Sequence, residues 1–483
     1  MQTNYYLSLK RITIKLIVLI LFVGPSVGCK KARKEKERPV TESVDIELAS
    51  LADDVREETL RTWKAYERLA WGHDNLLPLS KKPKDWYEEP LYISLIDAYS
   101  TLHVMGLEEE KKRVEDFVAT NVSFDKDMYI KTFELNIRVL GGLLSMYEIS
   151  KNPVFLEKAE DFGRRLIKAF DSPTGLPYYY VNLKTGETKG EIINLAEAGS
   201  YVFELGILSY YTQDPTYYQT GKNASKAIHA KRSSIGLYGR DINVETGEWT
   251  NTNSMVGAYA DSHFEYLYKG YLLFNDPELK KMWDESIVPI QEHVPTSKRD
   301  MLWYAKVDMD TGEDTEATIT LWDAYFPALL CLSEDVSRAE KAFKAWDYLW
   351  KKNAAVPRVY DFETDSIVDP YYQLNPEVIE SAYYLDHYTE KETYLNSIKT
   401  YYSDLKAHCR TDIAYASLEN VKTKKQADEL PTFFFAETMK YFYLAFEGNP
   451  KINLDDYVFS TEAHPFRKSE FMEEKILSGL GLD

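Results

Sequence analysis

Apolar residues recur three or four positions apart along almost the whole chain. This pattern runs, for example, through residues 132–149, 196–211 and 378–388, and it is typical of helices that bury one side. Breaks that contain Asn-Pro, Asp-Pro or Gly separate the patterned segments at fairly even intervals. Strand signals are few, at residues 178–181 and 457–459. Strands and helices do not alternate along the chain as they do in a parallel-sheet protein. The sequence therefore predicts an all-α fold.

The N-terminus has the features of a bacterial export signal. A positively charged segment with Lys10, Arg11 and Lys15 precedes an apolar run, residues 16–23, which is too short to span a bilayer. The segment that ends at Cys29 resembles a lipobox, in which the cysteine becomes the lipidated first residue of the mature protein. The sequence therefore predicts a lipoprotein, with an uncleaved anchor or a simple signal peptide as the alternative.

The chain divides into three parts on composition. Residues 1–28 are the predicted lipoprotein signal peptide, and residues 29–48 have little apolar content and predict a flexible tether. Residues 49–483 contain no Pro/Gly/Ser-rich linker, so one large domain is expected. We expect a monomer that is lipid-anchored to a bacterial membrane outside the cytoplasm, facing the periplasm or the cell surface.

Charge and cysteine content argue against several kinds of function. The formal net charge is −19 at pH 7, which disfavours nucleic acid or an anionic surface as the partner. Besides Cys29 the chain has only Cys331 and Cys409. Neither a disulfide scaffold nor a thiolate metal site is expected, and the spacing leaves open whether these two cysteines pair. The sequence has no motif for zinc hydrolysis, phosphate binding or serine esterase chemistry.

Glu134 and Arg138 lie four residues apart on a predicted helix that continues through Gly141 and Gly142. Such a pair is either a simple ion pair along one helix face or a carboxylate beside its partner in an active site. Two adjacent glycines cost helix stability, so they indicate close packing or a ligand wall at this helix.

Further acids stand at predicted helix starts. Asp261 suits an N-cap, and Asn375 before Pro376 is typical of an N-cap followed by proline at the first helical position. Glu377 and Glu380 then fall in a first turn, where acids stabilise the helix dipole. Both capping and catalysis are open interpretations at these positions.

Glu437 and Thr461 are harder to explain without a ligand. Glu437 follows Phe433 in a helix that is apolar nearly all round. A buried carboxylate is predicted there, and it needs an ion pair, hydrogen bonds or a nearby cation. Thr461, with Glu462 beside it, offers hydroxyl, carbonyl and carboxylate oxygens that suit a hard cation. A capped β-hairpin is the alternative.

The motifs around Glu134, Asp261, Glu377 and Thr461 together resemble glycoside hydrolase family 47, the inverting, calcium-dependent α-mannosidases. The resemblance extends over most of the chain and is nearest to the ER degradation-enhancing mannosidase-like branch. It implies an (α/α)7 barrel closed at one end by a C-terminal β-hairpin. It also implies hydrolysis of terminal α-1,2-linked mannose from an oligosaccharide or glycoprotein.

The resemblance implies a role for each candidate residue. The acid is Glu134, with Asp261 as the alternative acid or as a residue that orients water and substrate, and the base is Glu377. The other implied roles are substrate binding by Arg138, Asn375, Phe433 and Glu437, ligation of Ca²⁺ by Thr461, and contact with calcium-bound water by Glu380, Glu437 and Glu462.

Three positions depart from the family pattern. Asn375 replaces an arginine that contacts the sugar, Ser100 replaces an aspartate, and Leu321 stands where processing mannosidases have a histidine. The first departure motivates an alternative function, a mannan- or glycoprotein-binding lipoprotein with little turnover. A further alternative is a helical-toroid enzyme for another polysaccharide, such as a lyase.

Overall fold

Residues 42–448 and 450–482 are described by the structure, a computed structural model. The predicted signal peptide, the predicted lipidation site Cys29 and the predicted tether up to residue 41 lie outside the described residues. The first helix begins at Glu42, which is earlier than the predicted start of the domain at residue 49. Leu48 in this helix is buried, so its contact with the core begins within the segment that was expected to be a tether.

Helices dominate the described chain, and two of them continue from short π-helical segments. The 3-10 segments are Ile167–Phe170, Leu321–Tyr325 and Lys468–Glu470, and the π segments are Asn136–Leu140 and Phe434–Thr438. The α-helices are α1 (Glu42–Leu69), α2 (Ile93–Val104), α3 (Glu108–Asn121), α4 (Thr132–Leu135), α5 (Gly141–Ser150), α6 (Pro153–Leu166), α7 (Leu195–Gly199), α8 (Val202–Thr212), α9 (Pro215–His229), α10 (Asp261–Phe274), α11 (Pro277–His293), α12 (Phe326–Leu332), α13 (Val336–Asn353), α14 (Glu377–Thr389), α15 (Glu392–Cys409), α16 (Met439–Phe446) and α17 (Glu473–Leu480).

Seven helix pairs form the barrel. The pairs are α2 with α3, α5 with α6, α8 with α9, α10 with α11, α12 with α13, α14 with α15, and α16 with α1. The first helix of each pair packs against the first helix of the next pair, in the case of α10 through the segment Leu321–Tyr325. The helix α16 packs against α2 and completes the ring. The predicted (α/α)7 barrel is confirmed.

The hydropathy of each helix decides its place in the ring. The inner helix α8 is mostly apolar, and all but its last two residues are buried. The outer helix α6 buries only the stripe that begins with Phe155, Ala159 and Phe162 and leaves its charged side in solvent. Inner helices also approach closely: a methyl group on Gly142 would lie 2.5 Å from Ile96 Cγ2 in α2. The glycine pair predicted to mark close packing therefore does so.

Short antiparallel strands are more numerous than the sequence predicted. Strands of two to four residues are too short for their alternation of side chains to be visible in the sequence. They are β1 (Asn75–Leu77), β2 (Lys82–Lys84), β3 (Tyr129–Lys131), β4 (Tyr180–Asn182), β5 (Thr188–Lys189), β6 (Ile192–Asn194), β7 (Asp241–Asn243), β8 (Trp249–Asn251), β9 (Asn253–Ser254), β10 (Pro295–Lys298), β11 (Met301–Tyr304), β12 (Lys306–Asp308), β13 (Asp314–Glu316), β14 (Thr318–Thr320), β15 (Val359–Asp361), β16 (Ser366–Asp369), β17 (Leu418–Asn420), β18 (Lys425–Gln426), β19 (Tyr457–Phe459) and β20 (Pro465–Arg467).

Many of these strands form one repeated hairpin between an outer helix and the next inner helix. In each of five hairpins an Asn or Asp side chain accepts hydrogen bonds from the backbone N–H groups two and three residues later, an Asx turn that closes the loop. The five turn residues are Asn182, Asn243, Asp308, Asp361 and Asn420. Each hairpin leads the chain to the start of an inner helix.

The C-terminal strands β19 and β20 form the predicted hairpin, which packs against α10 and α5. That this hairpin closes one end of the barrel stays a prediction. Cys331 and Cys409 are both free and buried, so they do not pair. Among the helices of the described residues, none is long and apolar enough to cross a membrane.

Candidate active site

One cavity of about 140 Å³ collects every site residue that the sequence predicted. Its lining also includes Glu265, Trp322 and Tyr325, which the sequence did not single out as site residues. Trp322 and Tyr325 lie in a helix start rich in buried apolar residues, where nothing in the sequence distinguishes a cavity wall from core. The predicted residues that meet in this cavity are Glu134, Arg138, Asp261, Asn375, Glu377, Glu380, Phe433, Glu437, Thr461 and Glu462.

Three acids reach this cavity from the starts of three inner helices. Glu134 lies in α4, Asp261 is the first residue of α10, and Glu377 is the first residue of α14. The N-terminal end of a helix carries partial positive charge, which favours carboxylates there. Hairpins lead into the starts of α10 and α14, and the strand β3 leads into α4. These helix starts present all three acids to the same cavity.

The capping interpretation is wrong for the two positions where the sequence favoured it. Ala260 occupies the N-cap position of α10, and Asp261 accepts a hydrogen bond from the N–H of its neighbour Ser262 at 2.8 Å. Pro376 occupies the N-cap position of α14, so Asn375 lies one residue before the cap. Both side chains are therefore free of capping and line the cavity instead.

Arg138 forms the predicted ion pair with Glu134 and contacts other acids as well. Its Nε donates to Glu134 Oε2 at 3.1 Å, and its Nη1 lies 2.6 Å from Glu462 Oε2 and 3.6 Å from Asp97 Oδ2. The guanidinium also lies 5.7 Å from the centre of the Phe433 ring. The predicted ion pair is therefore part of the site, where Arg138 holds acids from three parts of the chain.

Both π-helical segments carry cavity residues. Arg138 lies in Asn136–Leu140 and Glu437 in Phe434–Thr438. A π turn accommodates an extra residue in a helix and shifts the direction of the side chains around it, and such turns are frequent at functional sites. The spacing of apolar residues did not reveal these turns, because a π turn changes the helical register only locally.

Burial raises the pKa of Glu377, Asp261 and Glu437 in the cavity. The pKa of Glu377 rises to about 8, although the hydrogen bond from Asn375 lowers it, and that of Asp261 rises to about 7. Burial and the neighbouring Glu462 hold the pKa of Glu437 well above its usual range, in spite of the attraction of Arg138. Glu437 is 7% exposed, so its predicted burial is confirmed. Acids with such pKa values sit near the proton-transfer range of neutral solution.

Thr461 lies in the turn between β19 and β20. Its hydroxyl donates to Glu265 Oε2 at 2.8 Å, and its N–H donates to the Tyr266 hydroxyl at 3.3 Å. Below the turn, Lys440 Nζ donates to Ala463 O at 2.6 Å. These contacts hold the turn against α10 and α16 and place Thr461 in the cavity wall.

Two of the departures from the family pattern lie outside the cavity lining. Ser100 accepts a hydrogen bond from Lys440 Nζ at 2.9 Å, and its hydroxyl lies 3.3 Å from His464 Nδ1. Leu321 is buried in the core. Ser100 thus belongs to the polar contacts beneath the Thr461 turn, and Leu321 supplies packing at the start of the segment that carries Trp322.

The oxygen-rich wall around Thr461 fits the calcium that the resemblance implies. Thr461 lines the cavity together with Glu265, Glu380, Glu437 and Glu462, and Ca²⁺ prefers oxygen ligands and retains water. In the part of the chain that the structure describes, no group of three or more His, Cys, Asp or Glu residues is arranged to hold a metal by itself.

Comparison with known proteins gives consistent results. Residues 58–468 match the family described as Glycosyl hydrolase family 47. The chain is 31% identical over 468 residues to "Alpha-mannosidase I MNS5" of Arabidopsis thaliana, which covers 91% of this chain and 80% of that protein. It is 32% identical over 438 residues to "ER degradation-enhancing alpha-mannosidase-like protein 2" of Homo sapiens, with 83% of this chain and 75% of that protein covered.

A solved structure with the same architecture is "alpha-1,2-mannosidase from Trichoderma reesei". The TM-score is 0.80 at 25% sequence identity, and the match covers 87% of this chain and 99% of the other. The two chains therefore share their fold over most of this chain.

Proposed function

The chain belongs to glycosyl hydrolase family 47 and is a glycoside hydrolase, and we propose that it is an inverting exo-α-mannosidase that releases terminal α-1,2-linked mannose with the help of calcium. The observation that carries this proposal is the meeting of Glu134, Asp261, Glu377 and Thr461 in one cavity, although they come from four separate parts of the chain. The substrate class is a mannose-containing oligosaccharide or glycoprotein, in line with the names of the similar proteins.

Inversion takes one carboxylic acid and one carboxylate on opposite sides of the sugar. Glu134 donates a proton to the leaving glycosidic oxygen, directly or through water. Glu377 removes a proton from the water that attacks the anomeric carbon, and the bond to the leaving oxygen breaks as the new C–O bond forms. Glu377 Oε2 is buried and has no hydrogen-bond partner, so it is available to accept that proton.

The remaining cavity residues orient the sugar. Phe433 offers a ring face for the apolar side of mannose, and Arg138 holds Glu134 in place. Asp261 positions substrate and shares the task of the acid. Thr461 would hold Ca²⁺, with Glu380, Glu437 and Glu462 ordering its waters. When bound, the ion supplies coordination for sugar hydroxyl groups and positive charge that favours the ionised form of nearby acids.

The first test is release of free mannose from α-1,2-mannobiose and from a high-mannose glycan, with calcium and with EDTA. Release that stops in EDTA and returns with calcium supports the proposal. Proton NMR of the first product distinguishes the mechanism, because inversion at an α-linkage yields β-mannose before mutarotation. Absence of mannose from both substrates at high enzyme concentration would contradict the proposal.

A second candidate function is capture of mannan or glycoprotein with little turnover, and Asn375 is the feature that favours it. In that case the glycan binds in the presence of calcium, binding survives Glu377→Gln, and no mannose appears. Calorimetric titration of both forms with a high-mannose glycan separates the two functions. The lyase alternative lacks support, because the matched family consists of glycoside hydrolases.

We also propose that Cys29 is lipidated and that the tether holds the barrel outside the cytoplasm. The support is the signal and lipobox pattern of the sequence. In a bacterial host, metabolic labelling with an alkyne fatty acid is expected to mark the full-length chain, and Cys29→Ser is expected to remove the label and release the protein from the membrane fraction. Labelling that persists in the variant would refute this assignment.

A further inference from the structure

The segment that leads into α14 holds Asn375 against Glu377. The side-chain amide of Asn375 donates to Glu377 Oε1 at 3.2 Å. Asn375 is only 4% exposed, and its position is fixed by burial as well as by this hydrogen bond. The residue that departs most clearly from the family pattern therefore contacts the proposed base directly.

The backbone on both sides of this contact is held by neighbouring elements. Thr438 Oγ1, at the end of the second π segment, donates to Leu374 O at 2.6 Å, and the Tyr372 hydroxyl donates to Asn375 O at 3.3 Å. Leu374 has a φ of 64°, a left-handed conformation that a leucine adopts only when its surroundings impose it. The orientation of Asn375 is thus determined by the fold around it.

This contact distinguishes the two oxygens of Glu377. Oε1 accepts the amide hydrogen bond, whereas Oε2 is buried without a partner. Resting on the proposed function, we propose that Asn375 is a positioning residue for the base: it holds one oxygen of Glu377 and leaves the other directed at the attacking water. Asn375 Oδ1 is also buried without a partner, so the same side chain offers an acceptor to a sugar hydroxyl or to that water.

A neutral amide differs from the arginine of the family in its effect on the base. Both donate hydrogen bonds, but only arginine brings a full positive charge, and only asparagine brings an acceptor. A cation beside a carboxylate favours its ionised form more strongly than an amide does. Asn375 therefore leaves Glu377 a stronger base than an arginine at this position would.

The acids around Glu377 raise its pKa, whereas the hydrogen bond from Asn375 lowers it. Glu380 on the same helix and Asp261 on α10 disfavour its ionisation, and burial does so most strongly. Glu437 on the π segment interacts with Glu377 in the same sense. In the described residues, Asn375 is the side chain outside α14 that donates a hydrogen bond to this carboxyl group. Its removal should therefore be visible in the titration of Glu377.

The test compares pH profiles of kcat/KM for the wild type, Asn375→Leu and Asn375→Arg. Leucine removes the donor at similar volume, so we expect kcat to fall about 10²-fold through loss of positioning, with a smaller change in KM and an acidic limb at higher pH. Arginine supplies charge, so the acidic limb is expected at lower pH. Asn353→Leu makes the same change on α13, where the amide donates to Leu349 O, and is expected to leave the profile unchanged.

Two results would overturn the assignment. One is an Asn375→Leu variant whose acidic limb does not move, and the other is a variant whose loss lies entirely in KM, which would make Asn375 a substrate contact alone. Melting temperatures of Asn375→Leu and Asn353→Leu show whether a loss of activity reflects unfolding.

An infrared titration of the resting protein separates this inference from the proposed function. The carboxyl band of Glu377 is assigned by its loss in Glu377→Gln, and its midpoint is expected to rise in Asn375→Leu without any turnover. If the wild type releases no mannose but the Glu377 midpoint is higher in Asn375→Leu than in the wild type, only the proposed function is contradicted. If the wild type is active and the Glu377 midpoint is the same in Asn375→Leu, only the positioning role is contradicted.

Discussion

Two pairs of acids at equivalent places in the barrel show how position in the fold separates structural from chemical roles. Glu197 and Asp323 follow the hairpins of Asn182 and Asp308, and each completes a capping box at a helix start. We call them the capping acids. Asp261 and Glu377 follow equivalent hairpins, begin α10 and α14, and line the cavity. We call them the pocket acids.

Burial does not distinguish the two pairs. It raises the pKa of Glu197 to about 7 and that of Asp323 to about 6, and those of Asp261 and Glu377 to about 7 and about 8. Hydrogen bonding does distinguish them. Glu197 accepts from Asn194 N at 3.1 Å and Asp323 from Thr320 N at 3.1 Å. Asp261 instead accepts from the N–H of the next residue, Ser262, and Glu377 accepts from the side chain of Asn375, so neither bonds the backbone at its N-cap. A perturbed pKa thus marks a buried acid, whereas the hydrogen-bond partners separate the capping acids from the pocket acids.

The largest expected difference between the pairs is in turnover. Glu377→Gln removes the base, so kcat is expected to fall about 10³-fold while the melting temperature stays the same or rises, because a neutral side chain is easier to bury. Glu197→Gln makes the same change in a capping acid and keeps an oxygen for Asn194 N. We expect Glu197→Gln to release mannose at a steady-state rate within about threefold of wild type. Equal losses of kcat in both variants would contradict the distinction between capping acids and pocket acids.

Gly257→Ala connects the two pairs. A methyl group there would lie 1.6 Å from Asp323 Oδ2, and the carbonyl of Gly257 accepts the N–H of Asp261 at 3.0 Å. We expect the loop to move, with a stability loss of about 1–3 kcal/mol and a kcat at least about tenfold lower. Urea denaturation and steady-state rates measure the two effects.

The control for this prediction is Gly448→Ala, since no atom lies within 4 Å of the added methyl group. Combining Gly257→Ala with Asp323→Ala should restore part of the lost activity, because the clash is removed. A double variant whose losses simply add would show that the clash is not the cause.

A smaller effect is expected when a capping acid is removed. Asp323→Ala leaves the buried Thr320 N–H without its acceptor, which costs about 1–3 kcal/mol, while kcat is expected to stay within about fivefold. Asp261→Ala is expected to show the reverse, a large loss of kcat with a smaller loss of stability. Paired urea titrations and rate measurements check this; a catalytic loss in Asp323→Ala as large as that in Asp261→Ala would be the contrary result.

The smallest effect is on the pH dependence of stability in metal-free protein. Glu377 has a pKa of about 8 when folded and 4.5 as its ordinary value, so the native state binds more protons between these pH values. The free energy of unfolding therefore falls as pH rises through this range. Glu377→Gln should reduce the slope up to about pH 8, and Asp323→Asn only between 3.8 and about 6. Urea titrations in EDTA at several pH values measure both slopes; identical slopes in all three proteins would contradict the assignment.

Much of the site could be read from residue types and spacing. The sequence identified the acids of the cavity except Glu265, because carboxylates at helix starts, a buried Glu437 and the oxygen-rich Thr461 turn each needed an explanation. It did not identify Trp322 and Tyr325, whose neighbours are as apolar as core. It also did not reveal the hairpin repeat, because the turn residue is Asn in three hairpins and Asp in two and the strands are too short to show a pattern.

What the sequence by itself determined was the helical character of the chain and the candidates for chemistry, because hydropathy and residue type are local properties. Only the tertiary structure decided which candidates act together. Capping and catalysis require the same kinds of residue at the same kind of place, so Glu197 and Glu377 cannot be told apart by sequence pattern alone. Ring closure brings Glu377 into one cavity with Glu134 and Thr461, whereas it leaves Glu197 bonded to its own helix start. Distances between residues far apart in the chain exist only once the ring has formed.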